Sequence, residues 1–471
     1  MVCCLQSEMI IMAEELISPV SEHKGKGRMI FDSEAFDADF TIRQMQNGVI
    51  VGGFETSSEN FWKMHGLFRS EKLFRLEGAD DIDVKLVAEG CYLTSLRGGT
   101  DPKASAKFVA QMVTCNPQKL GDAPHDELVV VFSLLNVDET FRVIVDSRIG
   151  KLYLCPMKEN KELLSSIKTL NISGITAVAE IHVEKTKLFP TFREVLSDSV
   201  DVIEGFLCIS RLADTCFHDW CSVSIYEKSK ELDRFERVVH KMRQPKTKNP
   251  RYRGLTNPAH SSYFYASAYA GYKGREKELD DLYDFRIALE WYLEANIATV
   301  LESEYLMACT CLELLVDRFE TKSGTEFVMN TETFDKELGP CLHKASRDCM
   351  STLELTADQR SEVYMKLKGL NRHSLAKGIK SLLDHLKIKY DDLFGDIGEI
   401  VRVRNEITHT GTYHEPKELF NAFNELCVLL TRVFLSLLNY DHDYFDWVKD
   451  DWVHFKDLRH QEKRNGRRSP L

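Results

Sequence analysis

No uninterrupted run of about 18 apolar residues occurs in this 471-residue chain, so no bilayer-spanning helix is expected. Met1 to Ile17 carries Glu8, Glu14 and Glu15 among its apolar positions and has no basic start, so no secretory leader is expected either. The thirteen cysteines are odd in number and irregularly spaced, which does not resemble a small disulfide framework; reduced thiols in a cytoplasmic protein are the expectation. Positive charge is also short. The net charge of −12 argues against a protein that coats long nucleic acid through bulk charge, so any RNA contact must come from a local patch. Leu96-Arg97-Gly98-Gly99-Thr100 reads as a turn and lacks the length and the lysine of a P-loop. There is no Rossmann fingerprint, kinase motif set, Gly-x-Ser-x-Gly elbow, internal repeat or low-complexity tract.

Hydrophobic residues make up 43% and charged residues 28%, an ordinary globular mix in a chain long enough for two to four domains of roughly 150 residues. Residues 1–27 read as a disordered leader ending in the turn Lys24-Gly25-Lys26-Gly27. From 28 to about 200 strands dominate. Asp83–Ala88, Glu127–Phe132 and Thr176–Val183 are short β-type runs, and Phe141–Val145, Asp146–Gly150 and Lys151–Leu154 read as a hairpin. This predicts a β-rich, sandwich-like or open-barrel module over 28–270, mixed across 201–240, with a helix near Tyr226–His240. A basic linker follows at 241–258, with Lys246, Lys248, Arg251 and Arg253 set among prolines. It reads as a solvated loop or as an RNA-backbone contact.

From 279 to 455 the spacing predicts a helical bundle, making the whole chain α+β. Tyr305, Cys309, Leu312, Val316 and Phe319 form one apolar helical face, and Leu419, Phe423, Leu426, Leu430, Val433 and Leu437 form another. Pro416 opens the last long helix, where its missing N–H costs nothing. Shorter helices fit around Phe334–Leu353, Ala357–Leu370 and Ser374–Lys387, and residues 456–471 form a basic tail.

One segment stands apart chemically. Leu393, Ile397 and Ile400 follow one helical stripe whose next members are Arg404 and Ile407, so a guanidinium occupies a core-type position. An unpaired buried charge costs several kcal/mol, so Arg404 needs a carboxylate, a cleft or a subunit interface. Glu313 could pair with Arg402 or with Arg404. His409 follows five residues later, on a turn expected at Thr410-Gly411-Thr412. Metal-free RNA cleavage must deprotonate a ribose 2′-OH and protonate the 5′ leaving oxygen, work suited to histidine near neutral pH. Arginine is the planar, permanent cation suited to the phosphoryl charge of the transition state. Asn405 can orient either partner.

Arg404-Asn405-Glu406-Ile407-Thr408-His409 resembles the Arg-x4-6-His signature of HEPN domains. Ile400–Val403 and Thr410-Gly411 resemble that family's helix-to-loop junction, Tyr305–Phe319 its long second helix, and 416–439 its last helix. A β-rich module followed by a HEPN bundle is similar to the ApeA group of bacterial defence proteins. Gly52–Glu55, His65–Phe68 and Phe74–Gly78 look like that group's opening strands. The resemblance implies a metal-independent endoribonuclease leaving 2′,3′-cyclic phosphate ends, with Arg404, His409 and Asn405 at its catalytic site and no cofactor. It also implies a homodimer through the HEPN domain and host RNA, plausibly tRNA, cut in abortive anti-phage defence. The N-terminal module would then sense an unknown phage-derived or cellular trigger. The rival expectation is a non-catalytic HEPN module that binds RNA or protein, as a regulatory or antitoxin-like subunit. His414 with Tyr413, Cys216-x-His218-x2-Cys221 with Asp219, Cys309 and Cys311, and Cys341-x-His343 are weaker candidates, read as loop or core residues.

Overall fold

The computed structural model describes residues 19–32, 34–45, 49–70, 72–81, 83–98, 103–115, 128–135, 143–154, 175–184, 191–215, 217–228, 235–243, 254–255, 261–353 and 355–458. It is α+β, a large antiparallel sheet followed by a helical region. The chain divides into two compact units, the first mainly residues 1–211, 216–249 and 257–266, the second mainly 267–471.

The first unit begins with β1 (Pro19–Phe31), β2 (Glu34–Met45), β3 (Ile50–Ser57), helix α1 (Phe61–Ser70), β4 (Phe74–Asp80), β5 (Lys85–Arg97), β6 (Lys103–Ala110) and β7 (Met112–Cys115). It continues through β8 (Leu128–Leu135), β9 (Val143–Asp146), β10 (Gly150–Leu154), β11 (Ile175–Val183), helix α2 (Phe192–Asp214), β12 (Asp219–Lys228) and β13 (Phe235–Arg243). These thirteen described strands join one continuous sheet rather than two separate ones. Its first part runs β4-β1-β2-β3-β6-β5, and β4 also pairs with β5, so these six strands close on themselves as a barrel. Alternation drives the closure. Phe36, Ala38, Phe40 and Ile42 of β2 point inward between exposed or half-buried neighbours and meet Phe54, Phe74 and Phe108 in one core. Met64 and Leu67 of α1 belong to the same core. β7 hydrogen-bonds to β5 and leads into an open antiparallel array, β7-β13-β12-β8-β11-β10-β9.

Three expectations fail here for physical reasons. The leader does not extend to residue 27, because β1 begins at Pro19, while residues 1–18 lie outside the described residues. Lys24–Gly27 is not a turn: Gly25 and Gly27 are strand positions squeezed against β4, where an added Cβ would sit 2.0 Å from the Ala79 oxygen and 2.3 Å from that of Glu77. The helix read near Tyr226–His240 falls, where the residues are described, on the antiparallel strands β12 and β13, which are flanked by β8 and β7, while residues 229–234 lie outside the described residues. Sheet pairing on both sides outweighs local helix propensity there. The mixed stretch instead contains α2, whose Val195, Leu196, Val202, Ile203, Phe206 and Leu207 are buried at helical spacing.

α3 (Ser261–Tyr272) begins within the span expected to be β-rich. The second unit contains α4 (Glu276–Tyr283), α5 (Phe285–Ala295), α6 (Leu301–Ser323), α7 (Gly339–Met350), α8 (Ala357–Lys368), α9 (Leu375–His385), α10 (Gly398–Thr410) and α11 (Pro416–Leu437). α6 is central and packs on α4, α5, α9, α10 and α11. Among the described residues one helix, α11, is long and apolar enough to cross a membrane by length and composition, and every residue from Leu426 to Leu437 on it is buried. The bundle is not purely helical, because β14 (Asp443–Asp446) and β15 (Asp451–His454) form a hairpin after α11. Its alternation turns Tyr444 and Asp446 inward, where they meet Arg432 of α11.

Candidate active site on the helical bundle

Helix α10 carries all three residues of the sequence motif. Ile400, Val403 and Ile407 bury one side of it, and Tyr305 of α6 donates a 3.3 Å hydrogen bond to the Ile400 carbonyl across the seam. Gly411 ends the helix in the left-handed region, at φ 78°, with its N–H donating to the Ile407 carbonyl at 2.8 Å. A side chain there would be strained, so the glycine fixes where the helix stops. His409 therefore lies in the last helical turn rather than on the turn that follows.

Tyr305, Cys309 and Glu313 follow one another at four-residue spacing on α6 and form the wall opposite Arg404. Arg404 donates from Nε to Oε1 of Glu313 at 2.9 Å and from Nη2 to Oε2 at 3.3 Å. Its Nη1 donates to Oδ1 of Asn405 at 3.1 Å. The charge on the apolar stripe is thus satisfied by Glu313, and the choice between Arg402 and Arg404 falls to Arg404. Arg402 lies 3.6 Å from Glu406 instead, and contact with Tyr413 holds its guanidinium above the usual arginine range. Among the described residues three of the five N–H bonds on Arg404 are used, which leaves one each on Nη1 and Nη2 along the outer edge of the fork. With side chains about one-third exposed, Arg404 (34%) and Glu313 (33%) lie at the rim of the bundle rather than in its core.

His409 is exposed and makes no hydrogen bond or ion pair among the described residues. Five residues of α-helix rotate the side chain by about 140° and advance it about 7.5 Å from Arg404. One α10 helix therefore brings Arg404 to Asn405 and Glu313, but does not bring Arg404 to His409. Asn405 connects the two: it accepts from Arg404 and stands one helical turn before His409 on the same face.

Burial keeps the thiols along the seam protonated. Burial, reinforced by the Glu313 charge, pushes the Cys309 thiol well above its usual value, and burial does the same to Cys311. Burial likewise pushes the Tyr305 phenol up, so it acts here as a hydrogen-bond donor. Among the described residues no group of three His, Cys, Asp or Glu side chains is arranged to hold a metal ion. Of the Cys216 cluster, Cys216 lies outside the described residues, while His218, Asp219 and Cys221 are buried. Cys341 is exposed, and the His343 ring packs on Tyr364. Exposed His414 follows buried Tyr413. Lys246, Lys248, Arg251 and Arg253 lie outside the described residues.

Sequence reasoning missed the most heavily engaged polar cluster in this unit. Arg432, fully buried, donates to both carboxylate oxygens of Asp392 at 2.7 and 2.8 Å, to Asp446 at 3.0 Å, to the Lys389 carbonyl at 3.0 Å and to the Tyr444 hydroxyl at 3.2 Å. The only available signal was an arginine inside an otherwise apolar helix. An open depression of about 630 Å³ on the barrel, edged by Arg28, Asp37, Glu55 and Lys103, is internally charge-paired, with Lys103 3.0 Å from Glu55 and Arg28 3.9 Å from Asp37. Comparison with protein families, curated proteins and solved structures gives no match for this chain.

Proposed function

We propose that the protein is a regulated, metal-independent endoribonuclease of HEPN type, acting on host RNA, plausibly tRNA, in a cytoplasmic abortive response to phage. The observation that carries this reading is the anchoring of Arg404. Glu313 and Asn405 clamp one side of its fork, while one N–H on each terminal nitrogen stays open along the outer edge. Two parallel donors on a rigid, partly exposed guanidinium match two oxygens of a phosphoryl group.

Exposed His409 supplies the proton transfer, as base toward the 2′-OH and as acid toward the leaving oxygen. Since Arg404 and His409 diverge on one helix, the working cleft is composite. Two copies of α10 in a homodimer bring the arginine of one toward the histidine of the other, with Asn405 orienting each pair. In-line attack by the 2′-oxygen then forms the 2′,3′-cyclic phosphate and releases a 5′-hydroxyl. In this reading the first unit serves as the sensor that restrains the nuclease until its trigger arrives.

The second reading, a binding module, is favoured by one observation: the Glu313 carboxylate already neutralises Arg404. Expression in a bacterial host separates the two. The nuclease reading expects growth arrest on induction, relieved by Arg404→Ala and by His409→Ala, and RNA fragments with cyclic phosphate ends. Equal growth with all three proteins, at equal protein levels, favours the binding module.

A further inference from the structure

At one end of the barrel, three strands distant in sequence bring together a thiol, an imidazole and a carboxylate. The Nε2 atom of His23 on β1 lies 3.9 Å from the Cys115 sulfur at the end of β7. The Nδ1 atom of the same ring lies 2.9 Å from Oδ2 of Asp80 at the end of β4. Paired with an ionised carboxylate, Nδ1 carries the proton and donates, which leaves Nε2 as the acceptor facing the thiol. The carboxylate is itself fixed, because Oδ1 of Asp80 accepts from the Val84 N–H at 2.9 Å across the β4–β5 turn. That turn is tied to β1 beside the histidine, where the Asp81 N–H donates to the Lys24 carbonyl at 2.8 Å. The order is nucleophile, base and orienting group, all carried on sheet backbone.

A core thiol filling space needs no such arrangement, and the same barrel supplies the comparison. Cys91 is fully buried, no imidazole contact to it occurs among the described residues, and burial pushes its thiol up to about 12. Cys115 is 4% exposed, and the His23 side chain that borders it is 18% exposed. The thiol is therefore reachable along the histidine, but only by a small reactant.

We propose that Cys115 is a peroxide-reactive thiol activated by His23 and oriented through Asp80, a site of reversible oxidation in the first unit. The thiol proton passes to Nε2 of His23 as the sulfur attacks one oxygen of hydrogen peroxide. The S–O bond forms, the O–O bond breaks, and the departing hydroxide takes the proton back from the imidazolium to leave as water. The sulfur is oxidised by two electrons to a sulfenic acid and the peroxide is reduced by two. This site stands independently of the nuclease reading.

The test treats the full-length reduced protein with one to a few equivalents of hydrogen peroxide, traps sulfenic acid with dimedone and maps the adducts by peptide mass spectrometry. Peptide mapping separates Cys115 from exposed Cys341 and Cys349. Cys115 is expected to label at least tenfold faster than Cys91 in the same sample, a comparison that needs no variant. His23→Gln and Asp80→Asn, checked for an unchanged circular dichroism spectrum, are expected to slow Cys115 about tenfold or more while leaving Cys341 unchanged. Labelling of Cys115 no faster than Cys91 overturns the proposal, and so does an unchanged rate in a folded His23→Gln protein.

Discussion

Arg432→Met removes the charge at the centre of the α11 network while keeping most of the side-chain volume. Five hydrogen bonds end on the lost guanidinium. The residue left in most difficulty is Asp446, which is 0% exposed and among the described residues keeps the Tyr444 hydroxyl at 3.2 Å and the Val448 and Lys449 N–H groups, each at 3.1 Å. Removing one partner of a buried ion pair costs about 3–5 kcal/mol, because the other charge stays buried without compensation. For a unit of roughly 200 residues each kcal/mol moves Tm by about 2–4 °C, so the expected fall is about 6–20 °C. Asp446→Asn is milder: it removes a charge yet leaves Arg432 bidentate on Asp392, which places its cost near 1–3 kcal/mol. Differential scanning calorimetry of the full chain, with the helical transition assigned by limited proteolysis, measures both. If Arg432→Met melts within 2 °C of the wild type, or no lower than Asp446→Asn, the network does not contribute what its burial implies. Burial alone would raise the Asp392 carboxyl, but hydrogen bonds from Arg432 and Lys449 outweigh it and hold the group well below the usual carboxylate range. A depressed folded value gives stability that is present above the unfolded value of about 3.9 and lost as pH falls toward the folded one. This contribution should therefore persist undiminished down to about pH 5 and fall progressively below it.

Glu313→Gln should cost no more than about 1 kcal/mol in stability, since the ion pair is one-third exposed, yet lower kcat for RNA cleavage about tenfold or more with little change in KM. Unchanged kcat in a folded variant would show that Glu313 does not position Arg404. His218 is a pH-dependent weakness of the first unit: burial first, then the Arg211 charge, lower its value to about 3. The unfolded chain binds that proton below about pH 6.5, so stability falls by roughly 2 kcal/mol between pH 6.5 and 5. His218→Gln should flatten this slope, and a melting series with an identical slope in wild type and variant would contradict the assignment. Replacing Lys246, Lys248, Arg251 and Arg253 with Gln should weaken RNA binding and make it less sensitive to salt, by about one unit of slope for every phosphate that is no longer neutralised. Unchanged affinity with an unchanged salt slope in that variant would remove the linker from the RNA path.

What sequence could reveal divides along physical lines. Runs such as Lys151–Leu154 and the stripe Leu419–Leu437 carry their period openly, and both form the expected element. β13 does not, because its pairing with β12 and β7 decides its state more than its own residues do. β1 was obscured for the opposite reason: its lysine–glycine alternation imitates a turn, although the glycines are there to let β4 approach. At the candidate site, Arg404 was conspicuous as a charge on an apolar stripe, and Glu313 was visible as one of its possible partners. The divergence of Arg404 and His409 required knowing that the helix runs through residue 410. The Cys115, His23 and Asp80 grouping joins positions 92 and 57 residues apart and has no local pattern.

The most direct measurement of the central proposal is cleavage of total host RNA or tRNA by the purified protein in EDTA, beside Arg404→Ala and His409→Ala. It should be run with and without extract of phage-infected cells. The account expects cutting by the wild type with 2′,3′-cyclic phosphate ends and a loss of about a hundredfold or more in each variant. RNA that is bound but uncut under every condition, or cut equally by all three proteins, would contradict it.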